Sequence, residues 1–175
     1  MGRRLSRTKL LALVVVAALG VGALRLRSTR APASVPKAAL VLRANLDQHA
    51  EALKALSKSQ APQYVYFSAD IDPASGQPWC PDCARSLHAA EEEVVGAGGT
   101  LLLVFVGDRD TWRNPKHPLR MDPDLRVTGL PTMMRWGAGG KLGEVGAELE
   151  KAGTPEAARE VIRDFIERTK GIEAL

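Results

Sequence analysis

Two cysteines, the only ones in 175 residues, stand at positions 80 and 83 in the stretch Trp79-Cys80-Pro81-Asp82-Cys83. That spacing places the first sulfur at a helix start and the second one turn behind it, near enough to close a disulfide. At a helix N-terminus the unpaired N–H groups and the helix dipole favour negative charge. A thiolate at Cys80 is stabilised there, and the thiolate is the form that attacks. Pro81 suits the first helical turn, where its missing N–H would have found no partner. Cys83 is then placed to attack a mixed disulfide formed at Cys80 and release the reduced product. Asp82 acts the other way, because a carboxylate beside the sulfur raises its proton affinity. The chemistry these residues suit is thiol–disulfide exchange, with Cys80 as nucleophile, Cys83 as resolving residue, and Pro81 and Asp82 as modulators.

Other uses of the pair fit less well. Structural zinc takes four ligands, and only His49, His88 and His117 could add to the two sulfurs. His88, five residues past Cys83, reads as helix surface. No histidine follows the second cysteine directly, which removes haem attachment. Asp70, Asp72, Asp108, Asp110, Asp122 and Asp124 lack calcium-loop spacing and read as solvated loop charge. No metal is expected.

The elements that must hold the dithiol follow from hydrophobic patterning. Leu42, Leu46, Ala50, Leu53 and Leu56 recur at helical spacing and predict one helix over about 40–59. Tyr64 to Ser68 is a short buried strand, and Asp70 to Pro78 is a loop that delivers Trp79 and Cys80. The redox helix runs from Cys80 to about Val95 with Ala84, Leu87 and Val94 inward and Glu91-Glu92-Glu93 as a solvated face. Leu101 to Val106 is the most apolar strand. Gly107 to Asp124 is long and charged, with a short helix around Trp112. Thr132 to Trp136 is a strand, Gly137 to Gly140 a hairpin turn, and Lys141 to Val145 a weak edge strand. Thr154-Pro155-Glu156 opens a final helix with Ala158, Val161, Ile162, Phe165 and Ile166 as its apolar stripe. Such alternation is met by an α/β fold, a central mixed β-sheet flanked by helices.

Composition narrows the function classes. The net charge of +4 misleads, because residues 1–46 hold nine of the 24 Lys and Arg and none of the 20 acids. The remainder carries a net charge of −5 and no basic cluster interleaved with aromatics. Nucleic acid is therefore not an expected partner. Two cysteines also cannot staple a disulfide-dense scaffold. Basic residues precede an apolar run from Leu10 to Leu24, and Arg25, Arg27 and Arg30 follow it. Residues 1–27 thus read as a targeting or anchor segment, open between retained anchor, cleaved signal and transit peptide. Residues 10–24 are the candidate membrane contact. Residues 28–38 read as a linker and 39–175 as the folded domain.

Three motifs in order carry a family resemblance: Trp79 to Cys83, then Val106-Gly107-Asp108-Arg109 with Trp112 nearby, then Leu125-Arg126-Val127-Thr128-Gly129-Leu130-Pro131-Thr132. Together they resemble the WCPDC-type thioredoxin-related proteins, the thioredoxin domain-containing protein 17 family, over about Tyr64 to Gly137. The resemblance implies a thioredoxin-like fold over 39–175. It implies a cis bond before Pro131, facing the dithiol, with Leu130 turned to pair with an extended substrate and Trp79 bordering the groove. It also implies a protein-disulfide reductase kept reduced by thioredoxin reductase and NADPH. Its substrates would be protein disulfides and small ones such as cystine. No cofactor would be bound, the redox-active group being the Cys80–Cys83 disulfide. Family members lack an N-terminal apolar run and work in the cytosol, so residues 10–24 depart from the pattern and favour a membrane, organelle or secretory address over the cytosolic alternative. A buried carboxylate, which aids proton transfer in many thioredoxins, is absent from Tyr64 to Ser68, and Asp82 is the candidate substitute. Two other readings remain: an exported oxidase or isomerase, and a binding module that recognises a partner without turnover.

Overall fold

Leu40–Ala44 is a strand, β1, where helical spacing predicted the start of a helix. Leu42 and Leu46 keep the i, i+4 interval by coincidence. Leu40-Val41-Leu42 is equally a strand-forming run, and a free sheet edge captures it. The helix begins later, through a 3-10 turn at Leu46–Gln48, with Asn45 and Gln48 forming a reciprocal capping box. It continues as α1, His49–Leu56.

The computed structural model describes residues 40–172, all within the unit Ser34–Leu175. The expected targeting segment (1–27) and linker (28–38) lie outside the described residues. Among the described residues, no helix is long and apolar enough to cross a membrane.

β2, Gln63–Ser68, is buried at every position. It leads through the loop into α2, Pro81–Gly96, which returns to β3, Thr100–Phe105. β3 lies between β1 and β2, parallel to both. Parallel strands covered on both faces read as continuous apolar runs, and Thr100-Leu101-Leu102-Leu103-Val104-Phe105 is one. Two short helices follow, α3 (Arg109–Arg113) and α4 (Pro118–Met121), which bury Trp112 and Leu119. β4, Thr132–Gly137, pairs antiparallel with β2, and β5, Gly140–Val145, closes the far edge. A five-residue helix, α5 (Ala147–Lys151), precedes α6 (Pro155–Thr169), whose first turn is capped by the Thr154 hydroxyl accepting from Ala157 N–H at 3.2 Å. The strand order is β1-β3-β2-β4-β5. The expected mixed sheet flanked by helices is what forms.

Two apolar clusters fill the layers. One gathers Val65, Phe67, Leu102, Val104, Trp112, Leu125 and both cysteines, with Leu46 and Leu53 packed against it. The other gathers Tyr64, Tyr66, Ala89, Ala90, Val94, Ile162 and Phe165. The face that α2 buries includes the expected Val94 but is otherwise centred one step round from Ala84 and Leu87. Cys83, Ser86, Ala89, Ala90 and Val94 are buried, while Ala84 and Leu87 are half-buried. Small residues on that face let the helix approach a sheet carrying Tyr64 and Tyr66. Glu91-Glu92-Glu93 is not a merely solvated face either. Glu91 pairs with Arg43, Glu92 with Arg159 at 2.5 Å, and Glu93 with Arg159 and Arg163 at 2.8 and 2.9 Å.

Candidate active site

Cys80 is the N-cap of α2, in extended backbone (φ −91°, ψ 120°), and Pro81 is the first helical residue. Cys83 stands in the first turn, fully buried, while Cys80 is 9% exposed. Both are free thiols. The two sulfurs behave oppositely. The Cys80 thiol is pulled down to about 6, first by the hydrogen bond it receives from the Cys83 side chain, then by the N–H groups of Cys83 and Asp82. Burial and the Asp82 charge oppose this. Cys83 is pushed far up, because it holds the proton in that same bond and because it is buried. The Ala69 N–H and the Ser68 hydroxyl pull it the other way. The helix start thus supplies N–H donors as the sequence suggests, but the partner thiol ranks ahead of them.

A sign follows for reactivity. Below pH 6 Cys80 holds its proton and is inert; above it the thiolate dominates. The rate of Cys80 alkylation by iodoacetamide is therefore expected to rise through a midpoint near 6 and level off well below the free-cysteine range of about 8.5. A midpoint in the ordinary thiol range would contradict the arrangement.

Trp79 is held from three sides. Its indole N–H donates to the Gly107 carbonyl at 2.9 Å, and its own N–H donates to the Asp70 carbonyl at 3.1 Å. Arg109 donates to the Trp79 carbonyl at 2.9 Å and lies 4.9 Å over the ring. Gly107 has φ +94°, and a Cβ there would come within 2.8 Å of Thr111, so the turn requires glycine. Its N–H donates to the Asp70 carboxylate at 2.7 Å. Asp70 and Asp108 therefore do more than solvate a loop, since Asp108 also caps α3 by accepting from Thr111 N–H at 2.7 Å. Asp72 accepts from Ala74 N–H in the same way.

On the other side, the Leu130–Pro131 peptide bond is cis. Leu130 is 7% exposed, and its carbonyl accepts from Cys80 Sγ at 3.7 Å. The Thr132 hydroxyl donates to the Gly129 carbonyl at 2.9 Å and fixes that loop. Asp82 is paired with Arg85, whose Nε donates to the Ala152 carbonyl at 3.2 Å. The three histidines are engaged apart from the dithiol. His88 is exposed near Glu92, buried His117 meets the Val106 carbonyl, and His49 meets the Leu46 carbonyl. Sequence reasoning missed Ser68 and Ala69, which approach Cys83. The available signal was a serine ending an otherwise apolar buried strand.

Comparison with known proteins gives consistent results. The family model for the thioredoxin domain of thioredoxin domain-containing protein 17-like proteins matches residues 43–151, more than half of the chain. The chain is 44% identical over 80 residues to the thioredoxin-like protein Clot of Arabidopsis thaliana, covering 42% of this chain and 56% of that one. It is 33% identical over 97 residues to thioredoxin domain-containing protein 17 of Danio rerio, covering 54% and 76%. Against the Homo sapiens protein of that name it is 31% identical over 83 residues, covering 46% and 65%. The match thus spans little more than half of the Arabidopsis relative.

Proposed function

The chain belongs to the thioredoxin domain-containing protein 17-like family, and from that premise we propose that it is a protein-disulfide reductase working through Cys80 and Cys83. Membership brings a thioredoxin-like fold and a thioredoxin-type redox function; the reductase direction is our reading. The observation that carries it is the placement of the sulfurs, Cys80 at the start of α2 and 9% exposed, Cys83 fully buried in the first turn behind it. One takes the charge at a helix start and the other, buried, keeps its proton.

In this reading the Cys80 thiolate attacks a substrate disulfide, forming a Cys80–substrate disulfide and expelling one substrate thiolate, which takes a proton from water. Cys83 then attacks the Cys80 sulfur. The Cys80–Cys83 bond forms, the bond to substrate breaks, and the Cys83 proton leaves with the second substrate thiol. The substrate gains two electrons and the dithiol loses them. Trp79 and the Leu130–Pro131 turn border the groove, and the hollow beside Trp79, with Ile71, Pro73 and Arg109 in its lining, gives room for a substrate flank. Substrates are protein disulfides and small disulfides such as cystine, and thioredoxin reductase with NADPH restores the dithiol. Residues 1–27 set the compartment, membrane-bound or targeted; the cytosol is the alternative.

The test is the equilibrium reduction potential of the Cys80–Cys83 pair in a glutathione buffer. A reductase is expected near the thioredoxin value of about −270 mV. A value of roughly −180 to −120 mV would replace it with an oxidase or isomerase, and no reversible two-electron couple would leave a binding module.

A further inference from the structure

Tyr66 and Ser86 take no part in that exchange, yet both are fully buried and bonded to each other beside it. Tyr66 sits on β2, between Leu103 of β3 and Met133 of β4, in the middle of the sheet. Its hydroxyl lies 2.7 Å from Ser86 Oγ, and Ser86 Oγ donates to the Asp82 carbonyl at 2.7 Å. A serine hydroxyl has one proton. Because Ser86 gives its proton to Asp82, it can only accept from Tyr66, and the chain runs one way: Tyr66 O–H to Ser86 O–H to Asp82 carbonyl.

A serine bonding back four residues along its own helix is ordinary. A buried phenol reaching it from the facing strand is not, and the carbonyl it finally serves is a particular one. That oxygen belongs to the Asp82–Cys83 peptide, whose other end is the Cys83 N–H. This N–H is one of the backbone donors to the Cys80 sulfur. Peptide units are planar, so fixing the carbonyl fixes the direction of the N–H across the same bond. A carbonyl that accepts an extra hydrogen bond also makes its N–H a better donor.

We propose that Tyr66 and Ser86 are positioning residues for the dithiol, holding the Asp82–Cys83 peptide so that the Cys83 N–H and thiol stay aimed at the Cys80 sulfur. This rests on the reading of Cys80 as nucleophile. It also accounts for a redox site without a carboxylate on the preceding strand. The strand position that faces the first turn carries a neutral hydroxyl that organises the donors instead of exchanging protons. The titratable groups facing Tyr66 are Cys83, Cys80 and Asp82, and Asp82 is itself paired with Arg85. Burial and these neighbours hold the phenol well above its usual range, so it stays protonated as the chain requires.

The experiment titrates the Cys80 thiolate by its far-ultraviolet absorbance in the reduced full-length protein, wild type against Tyr66→Phe, Ser86→Ala and the double variant. Each single variant is expected to raise the midpoint by roughly half to one pH unit, and the double variant by no more than the larger single effect, because the two hydroxyls act as one chain. Thermal unfolding followed in parallel separates this from general loosening. Variants that lose stability while keeping the wild-type midpoint would overturn the inference, as would shifts that add. If Tyr66→Phe does not fold, Ser86→Ala decides alone. A wild-type Cys80 that titrates in the ordinary thiol range would instead sink the dithiol reading, and this inference with it.

Discussion

Cys80→Ser is expected to lose disulfide turnover by at least about three orders of magnitude, leaving the uncatalysed background. A serine hydroxyl at the same helix start does not ionise near neutral pH, so the donors that gather around the sulfur have no anion to stabilise. Cys83 cannot stand in, since it is fully buried and holds its proton. Cys83→Ser is expected to fail differently. Attack by Cys80 proceeds, but the adduct has nothing to resolve it, so one substrate-derived half-disulfide per chain accumulates. Intact-mass measurement after mixing with a disulfide substrate distinguishes the two variants. Retained biological activity in Cys80→Ser would favour the binding-module reading, and absence of the trapped adduct in Cys83→Ser would remove Cys83 from the resolving role.

Phe67→Ala carries the largest expected effect on stability. Phe67 is fully buried on β2, paired across to Val104 of β3 and Thr132 of β4, and belongs to the same cluster as both cysteines. Truncating a buried phenylalanine costs about 3–5 kcal/mol through lost transfer energy and the cavity left behind. A domain of this size has only about 5–15 kcal/mol in hand, so roughly a fifth or more of its stability is at stake. Urea denaturation should show a much lower midpoint with an unchanged slope. A loss below about 1 kcal/mol would mean that the site can collapse around the gap, against the close packing described.

The parts of the molecule legible in the sequence are those set by local chemistry. Cys80, Pro81 and Cys83 announce a helix start because proline is tolerated only in its first turn, and Thr154-Pro155-Glu156 announces α6 for the same reason. What the sequence hides is decided by neighbours distant in the chain. Leu40-Val41-Leu42 is a strand because β3 offers an edge. Ser86 and Ala90 take the most buried face of α2, with Leu87 at its margin, against a cluster that contains Tyr66 and Tyr64. The acidic triplet looks solvent-bound until Arg43, Arg159 and Arg163 arrive from other elements. Tyr66 itself reads as one more strand aromatic. Its hydroxyl gains meaning only when α2 lays Ser86 against it.

The same helix is fastened by unlike means at its two ends. Near the dithiol the fastenings are buried and short-ranged: the Tyr66 and Ser86 hydroxyls and the Cys83 donors. Toward its far end they are ionic, with Arg159 and Arg163 of α6 holding Glu92 and Glu93 well into the charged state. Arg159 and Arg163 are partly open to solvent, and the screening length shrinks from about 10 Å at 0.1 M salt to about 3 Å at 1 M. Salt therefore reaches the two arginine clamps at the tail and, at the head, the Asp82–Arg85 pair alone of the fastenings described. In a concentrated electrolyte the ion pairs at the tail weaken, while the hydroxyl chain at the head, from Tyr66 through Ser86 to the Asp82 carbonyl, keeps its bonds.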